Sequence, residues 1–266
     1  MKVLGCVVAG VLLFGSTTFA APKIEVGANV GYGFGAGASQ NGASYEQDLA
    51  GNNTNYTDLY TSGGNGIKIL VDGSLFFNDN LGVVLLAGCS FLGGYEQKTV
   101  RPVTQGFPLQ TVLITSDTKT HTEYVPINVG MKLKTKIDKF SPYVYVAPGI
   151  YFCFANSDNT TTGQVNSSTS YQLSPGFGFI AGLGTTYALT DKLGIKAEIT
   201  PNYAFANVQQ STWTRGDQKI TTIYENNTPT LPDNTITGND QKYYYHGQPR
   251  WSFSSIAINV GAYFDF

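Results

Sequence analysis

Apolar residues recur at every second position in eight separate segments of about eleven residues each, the length a tilted strand needs to cross hydrocarbon. In residues 256–266, Ile256, Ile258, Val260, Ala262, Phe264 and Phe266 fall on one face of a strand, and Ala257, Asn259, Gly261, Tyr263 and Asp265 on the other. The segment runs to the last residue and stops on an aromatic ring. The termini of soluble domains tend to fray in water, whereas a barrel closing in a membrane needs its last strand fully paired.

The earlier segments repeat the pattern. Residues 24–34 place Ile24, Val26, Ala28, Val30, Tyr32 and Phe34 opposite Glu25, Gly27, Asn29, Gly31 and Gly33. Residues 67–77 place Ile67, Ile69, Val71, Leu75 and Phe77 opposite Lys68, Asp72 and Ser74. Residues 81–91 follow with a stripe of Leu81, Val83, Leu85, Ala87 and Phe91, blurred by Val84 and Leu86. In 125–133, Val125, Ile127, Val129, Met131 and Leu133 oppose Asn128, Gly130 and Lys132, with Lys134 next. Residues 143–154 carry Val144, Val146, Pro148, Ile150, Phe152 and Phe154 against Tyr143, Tyr145, Gly149 and Tyr151; Pro148 lacks a ladder donor and predicts a local bulge. Residues 177–187 and 193–205 complete the set, the latter setting Lys196, Glu198, Thr200 and Asn202 against Leu193, Ile195, Ala197, Ile199 and Tyr203.

The connections between segments alternate strictly, long then short. Three are tight and rich in turn formers, at 78–80, 136–141 and 190–192. Four are long and rich in Asn, Thr, Ser and Gly, at 35–66, 92–124, 155–176 and 206–250. Long loops are uncommon in compact soluble domains. Gathered on one side of a meander whose ends lie on the other, they form the outer-membrane pattern of short periplasmic turns and long external loops.

Composition agrees. No mature segment offers the run of roughly 18 apolar residues that a spanning helix needs. The chain of 266 residues holds 31 glycines, 17 tyrosines and 16 phenylalanines, with charged residues at 13%. Small inward residues and aromatic girdles suit a barrel in a membrane. A lipocalin-like soluble barrel would reverse the faces, with apolar residues inside; here Lys and Glu share faces with Gly. A formal net charge of −2 gives no electrostatic footprint for nucleic acid.

The fold class predicted is all-β: an eight-stranded antiparallel up-and-down transmembrane β-barrel, with a ten-stranded ring as the alternative if 219–224 adds a hairpin arm. Residues 1–20 read as a signal peptide: Lys2 at the start, an apolar core over 7–14, and Thr18-Phe19-Ala20 before a cleavage between Ala20 and Ala21. Residues 21–266 form the barrel. Cys89 and Cys153 then remain, on opposite faces of non-adjacent strands, and are expected to stay free thiols. No metal or cofactor site is expected.

The stretches 124–133 (Tyr-Val-Pro-Ile-Asn-Val-Gly-Met-Lys-Leu) and 140–149 (Phe-Ser-Pro-Tyr-Val-Tyr-Val-Ala-Pro-Gly) resemble the central hairpin of small bacterial outer-membrane barrel proteins. That group includes the OmpA transmembrane domain, OmpX, OmpW and opacity-type proteins, and the Phe-ended last strand resembles them too. The resemblance covers the mature chain as a pattern and only these segments as sequence. It implies a place in the bacterial outer membrane, contact with its lipid and lipopolysaccharide, and insertion by the outer-membrane assembly machinery, which reads the closing strand of Ile256, Ile258, Val260, Ala262, Phe264 and Phe266. No peptidoglycan-binding domain is expected after Phe266.

Three chemistries compete for the function. Glu25, Lys68, Asp72, Lys132, Lys134, Lys196 and Glu198 all point inward; in a lumen as narrow as eight strands allow they must pair. They read as a structural network that plugs the lumen with Tyr143, Tyr145 and Tyr151, and alternatively as the lining of a narrow conduit for ions or small polar solutes. The two histidines, His121 and His246, lie in or near loops without the Ser or Asp geometry of a hydrolase, so no enzyme is expected. The loops carry Tyr45, Tyr56, Tyr60, Trp213, Tyr224, Tyr243, Tyr244, Tyr245 and Trp251, an aromatic content suited to contacts with a surface partner. Residues 243–251 read equally well as part of the outer aromatic girdle. The expected role is structural or interactive, through the loops.

Overall fold

The computed structural model describes residues 23–36, 39–40, 44–47, 53–56, 60–61, 65–93, 96–105, 110–161, 165–225, 236–237, 240–246 and 250–266, and for 39–61, 96–116 and 225–250 it describes the backbone course alone. The leader expected over 1–20, with its Ala20–Ala21 junction, lies outside these residues.

Eight strands form the wall: β1 (Lys23–Gly35), β2 (Asn65–Phe76), β3 (Leu81–Gly93), β4 (Gln110–Lys134), β5 (Phe140–Thr161), β6 (Gly176–Ala188), β7 (Leu193–Arg215) and β8 (Ser255–Asp265). Each pairs antiparallel with its sequence neighbour, and β8 pairs with β1, so the ring closes. Closure is continuous from Glu25↔Asp265 to Gly35↔Ser255, and the Phe266 N–H donates to the Ile24 carbonyl at 2.9 Å.

The register sets the dimensions. From Leu133 the ladder partners run through Val144, Leu183, Ile199, Ile258, Tyr32, Ile67 and Phe91 and return to β4 at Glu123, ten residues from the start. With strands ~4.7 Å apart and ~3.3 Å of rise per residue, that stagger tilts the strands by about 40° and gives a backbone radius of about 8 Å. At this tilt the stripe from Ile256 to Phe266 covers about 25 Å of membrane normal, the height of an outer-membrane apolar band.

The faces sort as the alternation dictates. Ile24, Val30, Ile69, Val129, Val146, Leu183, Ile199 and Val260 are exposed on the outside. Two aromatic belts bound them. Tyr32, Phe34, Phe91, Phe154, Phe177 and Tyr203 lie toward the long-loop end, and Phe77, Phe140, Phe264 and Phe266 toward the short-turn end. Rings within each belt touch edge-on or tilted: Tyr32–Phe34 at 5.2 Å, Phe179–Tyr203 at 5.8 Å and Phe264–Phe266 at 4.8 Å.

The short connections are built by their own side chains. Asn78 Oδ1 accepts from the Asn80 and Leu81 N–H groups, and Thr190 Oγ1 accepts from those of Lys192 and Leu193. Between β4 and β5, Ile137 and Phe140 pair across Asp138, whose φ of 56° is one that Asp tolerates better than most residues. At the same end Lys23 holds Asp79 at 2.6 Å and keeps its carboxyl below the usual range.

Two expectations change, and the ten-stranded alternative falls away. First, β4, β5 and β7 do not stop at the membrane edge. They run on through residues expected as loops in 92–124, 155–176 and 206–250, joined by Glu96–Gln105 on β4, Ser167–Leu173 between β5 and β7, and Gln218–Glu225 on β7. These parts are rich in Thr, Ser, Asn and Gln on both faces. Away from lipid nothing demands an apolar stripe, so the period-two signal vanishes while the ladder continues. Gln218–Glu225 is a hairpin arm outside the ring, paired on its far side with Asp240–His246 in parallel, so the ring keeps eight strands. Second, Pro148 makes no bulge. It pairs with Phe179 in register; the ladder to β4 skips Ala147 and Pro148 and resumes at Gly149↔Asn128 without a slip.

A charge placed on the lipid face at mid-height is depth-dependent in cost. Val260→Lys on β8 is expected to lower stability by about 2–4 kcal/mol, and Phe266→Lys at the rim by about 1 or less. Equilibrium urea unfolding in lipid vesicles measures both.

Candidate functional site

The lumen is stacked in layers, and chain direction on each strand sets their order. Nearest the short turns, Glu25 on β1 faces Lys132 and Lys134 on β4. Lys132 and Lys134 each donate to one oxygen of Glu25, and Lys132 also reaches Ser74 Oγ at 3.3 Å. Lys132 lies 3.9 Å from Asp72, whose other oxygen is bound by Lys196 from the opposite wall. Aromatic rings cover the ammonium groups: Lys132 lies over Tyr143 at 4.7 Å and Lys134 over Tyr263 at 5.0 Å. Glu25, Asp72, Lys132 and Lys196 are all at or below 4% exposed, so the ions are out of bulk water and stand only by mutual pairing.

The next layer holds charges through neutral partners. Glu198 accepts from Asn29 Nδ2 at 3.0 Å and from the Tyr143 hydroxyl at 2.8 Å. Lys68 donates to Thr200 Oγ1 at 3.4 Å, and Asn259 Nδ2 donates to the same oxygen at 2.8 Å. Beside them Leu70, Val84, Leu86 and Ile180 pack with Tyr143, Tyr145 and Ala147. Above this, the Tyr151 hydroxyl donates to Asn202 Oδ1 at 2.6 Å, Asn128 Nδ2 donates to the Tyr151 oxygen at 3.2 Å, and Tyr124 meets Ser255 at 3.2 Å.

Glycines make room for these side chains. A Cβ on Gly182 would fall on the Tyr145 ring, on Gly184 against Tyr143, and on Gly194 against Tyr263; each tyrosine lies flat across a glycine on a neighbouring strand. The closing seam uses the same device. Asn29 Oδ1 rests on its ladder partner Gly261 and Asn259 Oδ1 on its partner Gly31, while the space over Gly27 is filled by Lys196.

At the long-loop end the lining turns aromatic and apolar. Leu92, Tyr124, Cys153, Ala206, Trp251 and Phe253 form one buried cluster, with Tyr171, Leu173 and Tyr224 packed against it. Tyr171 meets Trp251 edge-on at 4.7 Å, and burial pushes its phenol up to about 12.

The structure places Glu25, Lys68, Asp72, Lys132, Lys134, Lys196 and Glu198 inside the barrel and joins all but Lys68 and Glu198 by ion-pair contacts. Trp251 departs from its expected place on the outer surface. It pairs with Ala206 in the register that β8 continues, so it shares the inward face of Phe253 and Ser255 and is 2% exposed. The side chains of Tyr243, Tyr244, Tyr245 and His246, and of Tyr45, Tyr56 and Tyr60, lie outside the described residues. His121 stands on the outer face of β4, exposed, paired across the ladder with Asn156. Cys89 faces outward and Cys153 inward, both free. The alternation placed Asn29, Asn128, Asn202 and Asn259 on inward faces, but the expected network counted only charged residues and tyrosines and left these neutral members out. It also missed the inward Leu70, Val84, Leu86 and Ile180; the blurred stripe at Val84 and Leu86 was their trace.

Removing one partner of the buried network strands another charge. Lys132→Met is expected to lower stability by about 3–5 kcal/mol, and the paired change Asp72→Leu with Lys196→Met by much less than either alone. Unfolding curves of these variants in lipid vesicles test this. Gly182→Val pushes into the Tyr145 ring and is expected to cost about 1–3 kcal/mol in the same assay.

No curated protein sequence is significantly similar to the chain. Among solved structures it is similar to the outer membrane protein OprG from Pseudomonas aeruginosa, at 12% identity and a TM-score of 0.49, covering 92% of this chain and 96% of that one. It is also similar to the outer membrane protease OmpT from Escherichia coli, at 8% identity and a TM-score of 0.46, covering 95% and 99%. A major outer membrane protein from Thermus thermophilus aligns at 12% identity and a TM-score of 0.44, covering 93% and 100%. Residues 6–218 match the family described as outer membrane protein beta-barrel domain, and with the closed eight-stranded ring the chain belongs to that family of outer-membrane barrels.

Proposed function

We propose that the membrane-spanning part is a closed scaffold and that the protein works through the strands it raises above the outer surface, in recognition of a surface partner. The observation that carries this reading is the filling of the lumen. Lys132, Lys196, Asp72, Glu25 and Tyr143 cross it from opposite walls within one layer, and each is almost wholly buried. A conducting pore needs hydrated charges along its wall; ions paired this tightly have given up their water. The extension of β4, β5 and β7 supports the second half of the reading, since a bare lipid scaffold has no use for 25, 22 and 23 residues in those strands.

The remaining parts of the proposal follow from the compartment. The chain is exported with a leader cleaved between Ala20 and Ala21, is inserted by the assembly machinery through its closing strand, and meets lipid and lipopolysaccharide with its outer belts. It is not an enzyme on this reading, because the buried carboxylates and lysines are spent on one another.

Single-channel recording of the purified barrel in a planar bilayer tests the scaffold. The expected trace has no steady conductance, and steady conductance of porin size would overturn the closed reading in favour of the narrow conduit. Cells displaying a form with 96–116 trimmed are expected to lose surface attachment while keeping the barrel's heat-modifiable gel mobility.

A further inference from the structure

Above the belt of Phe91, Phe154, Phe177 and Tyr203 the wall keeps its ladder, while its outward side chains turn to hydroxyls and amides. They stand in cross-strand rows over β5, Ser167–Leu173 and β7: Asn156–Ser170–Thr212, then Asp158–Ser168–Thr214 one step higher. Lys119 on β4 and Lys219 on the hairpin arm flank the second row. Asn156, Ser168, Ser170 and Thr214 are exposed and make no side-chain hydrogen bond among the described residues. At the top of this face a concavity of about 290 Å³ is lined by polar groups, Asp158, Asn166, Ser168 and Thr214 among them. At ~3.3 Å per residue and a tilt of about 40°, residues 154–161 rise about 18 Å above the belt.

This face is the upward continuation of the lipid-facing wall. A lipid whose chains lie against Phe154 and Phe177 therefore carries its headgroup up along it. The headgroup layer of a phospholipid bilayer is only about 5–8 Å deep on each side, less than half the height of the wall. A headgroup that reaches Ser168 and Thr214 must be a chain of several linked units. The side chains select the units. Protein partners are anchored chiefly by Trp, Tyr and Arg, and the two rows offer none of these. Hydroxyls and amides both donate and accept, as an array of sugar hydroxyls requires, and lysines at the flanks suit acidic substituents on such sugars. We propose that the outer face of β5, Ser167–Leu173 and β7 above the belt is the docking surface for the oligosaccharide headgroup of the outer-leaflet glycolipid. The inference rests on the lipopolysaccharide contact proposed above and extends it from the belts to the raised wall, leaving the strand tips to the surface partner.

The experiment places the full barrel in nanodiscs of three compositions: phospholipid alone, lipopolysaccharide cut back to its innermost sugars, and lipopolysaccharide with a complete core. Ser170→Cys puts a thiol in the middle of the face, and a water-soluble maleimide reads its exposure. Cys89 faces the lipid and Cys153 is buried, so the unaltered chain serves as the blank. Labelling is expected to be about 10-fold slower or more in complete-core discs than in phospholipid, as for a face left open a tenth of the time. In cut-back discs it is expected to stay close to the phospholipid rate. A second measurement separates binding from mere shading. The thermal midpoint of the barrel is expected to be higher with the complete core than with the cut-back one. The combined change Asn156→Ala, Ser168→Ala and Ser170→Ala is expected to abolish that excess while leaving the midpoint in phospholipid unchanged. Equal labelling in all three discs, or an excess that survives the triple change, would overturn the docking surface. A midpoint raised equally by both glycolipids would also overturn it and leave the belt contact standing, so the two readings fail separately.

Discussion

The ring closure between β1 and β8 is the interaction on which the rest depends. Hydrocarbon offers no water to backbone N–H and C=O groups, and each one left unpaired there costs several kcal/mol. An open sheet of eight strands would present two such edges. Eleven consecutive residue pairs from Glu25↔Asp265 to Gly35↔Ser255 remove both, and once they are made the stagger of ten residues, the tilt and the radius are no longer free. The belts at either rim then fall at the right spacing as a consequence.

That radius dictates the interior. A lumen of about 8 Å to the backbone leaves space for side chains and little else, so each large residue must borrow volume from a strand beside it. The barrel does this by opposition: Tyr145 over Gly182, Tyr143 over Gly184, Asn29 over Gly261, Asn259 over Gly31. Glycines on the inner face are therefore recesses, and the lysines and carboxylates reach one another because those recesses exist. The charges cross between walls, Lys132 on β4 to Glu25 on β1 and Lys196 on β7 to Asp72 on β2, so the plug also braces the cylinder across its diameter.

Above the membrane the rules change. The lipid constraint disappears, β4, β5 and β7 continue as a sheet packed on its inner side by an aromatic and apolar cluster, and the inner wall exchanges charge for aromatic rings and hydroxyls. The same strands therefore carry a membrane scaffold in one half and, on the reading proposed above, a recognition surface in the other. The boundary falls where Tyr124, Tyr151 and Asn202 close the polar network.

By itself the sequence determined what the membrane enforces. Alternation in 24–34, 125–133 and 256–266 assigned the faces because lipid tolerates no polar side chain on one side, and the turn formers at 78–80 and 190–192 set the hairpins. The inward placement of Glu25, Lys132 and Lys196 follows from the same period of two. Only the tertiary structure decided which inward residue meets which, because partners such as Lys132 and Glu25 stand 107 residues apart and depend on register around the whole ring. It also decided the length of β4, β5 and β7 and the burial of Trp251. Those stretches lie above the lipid, where both faces of a strand can be polar and periodicity carries no signal.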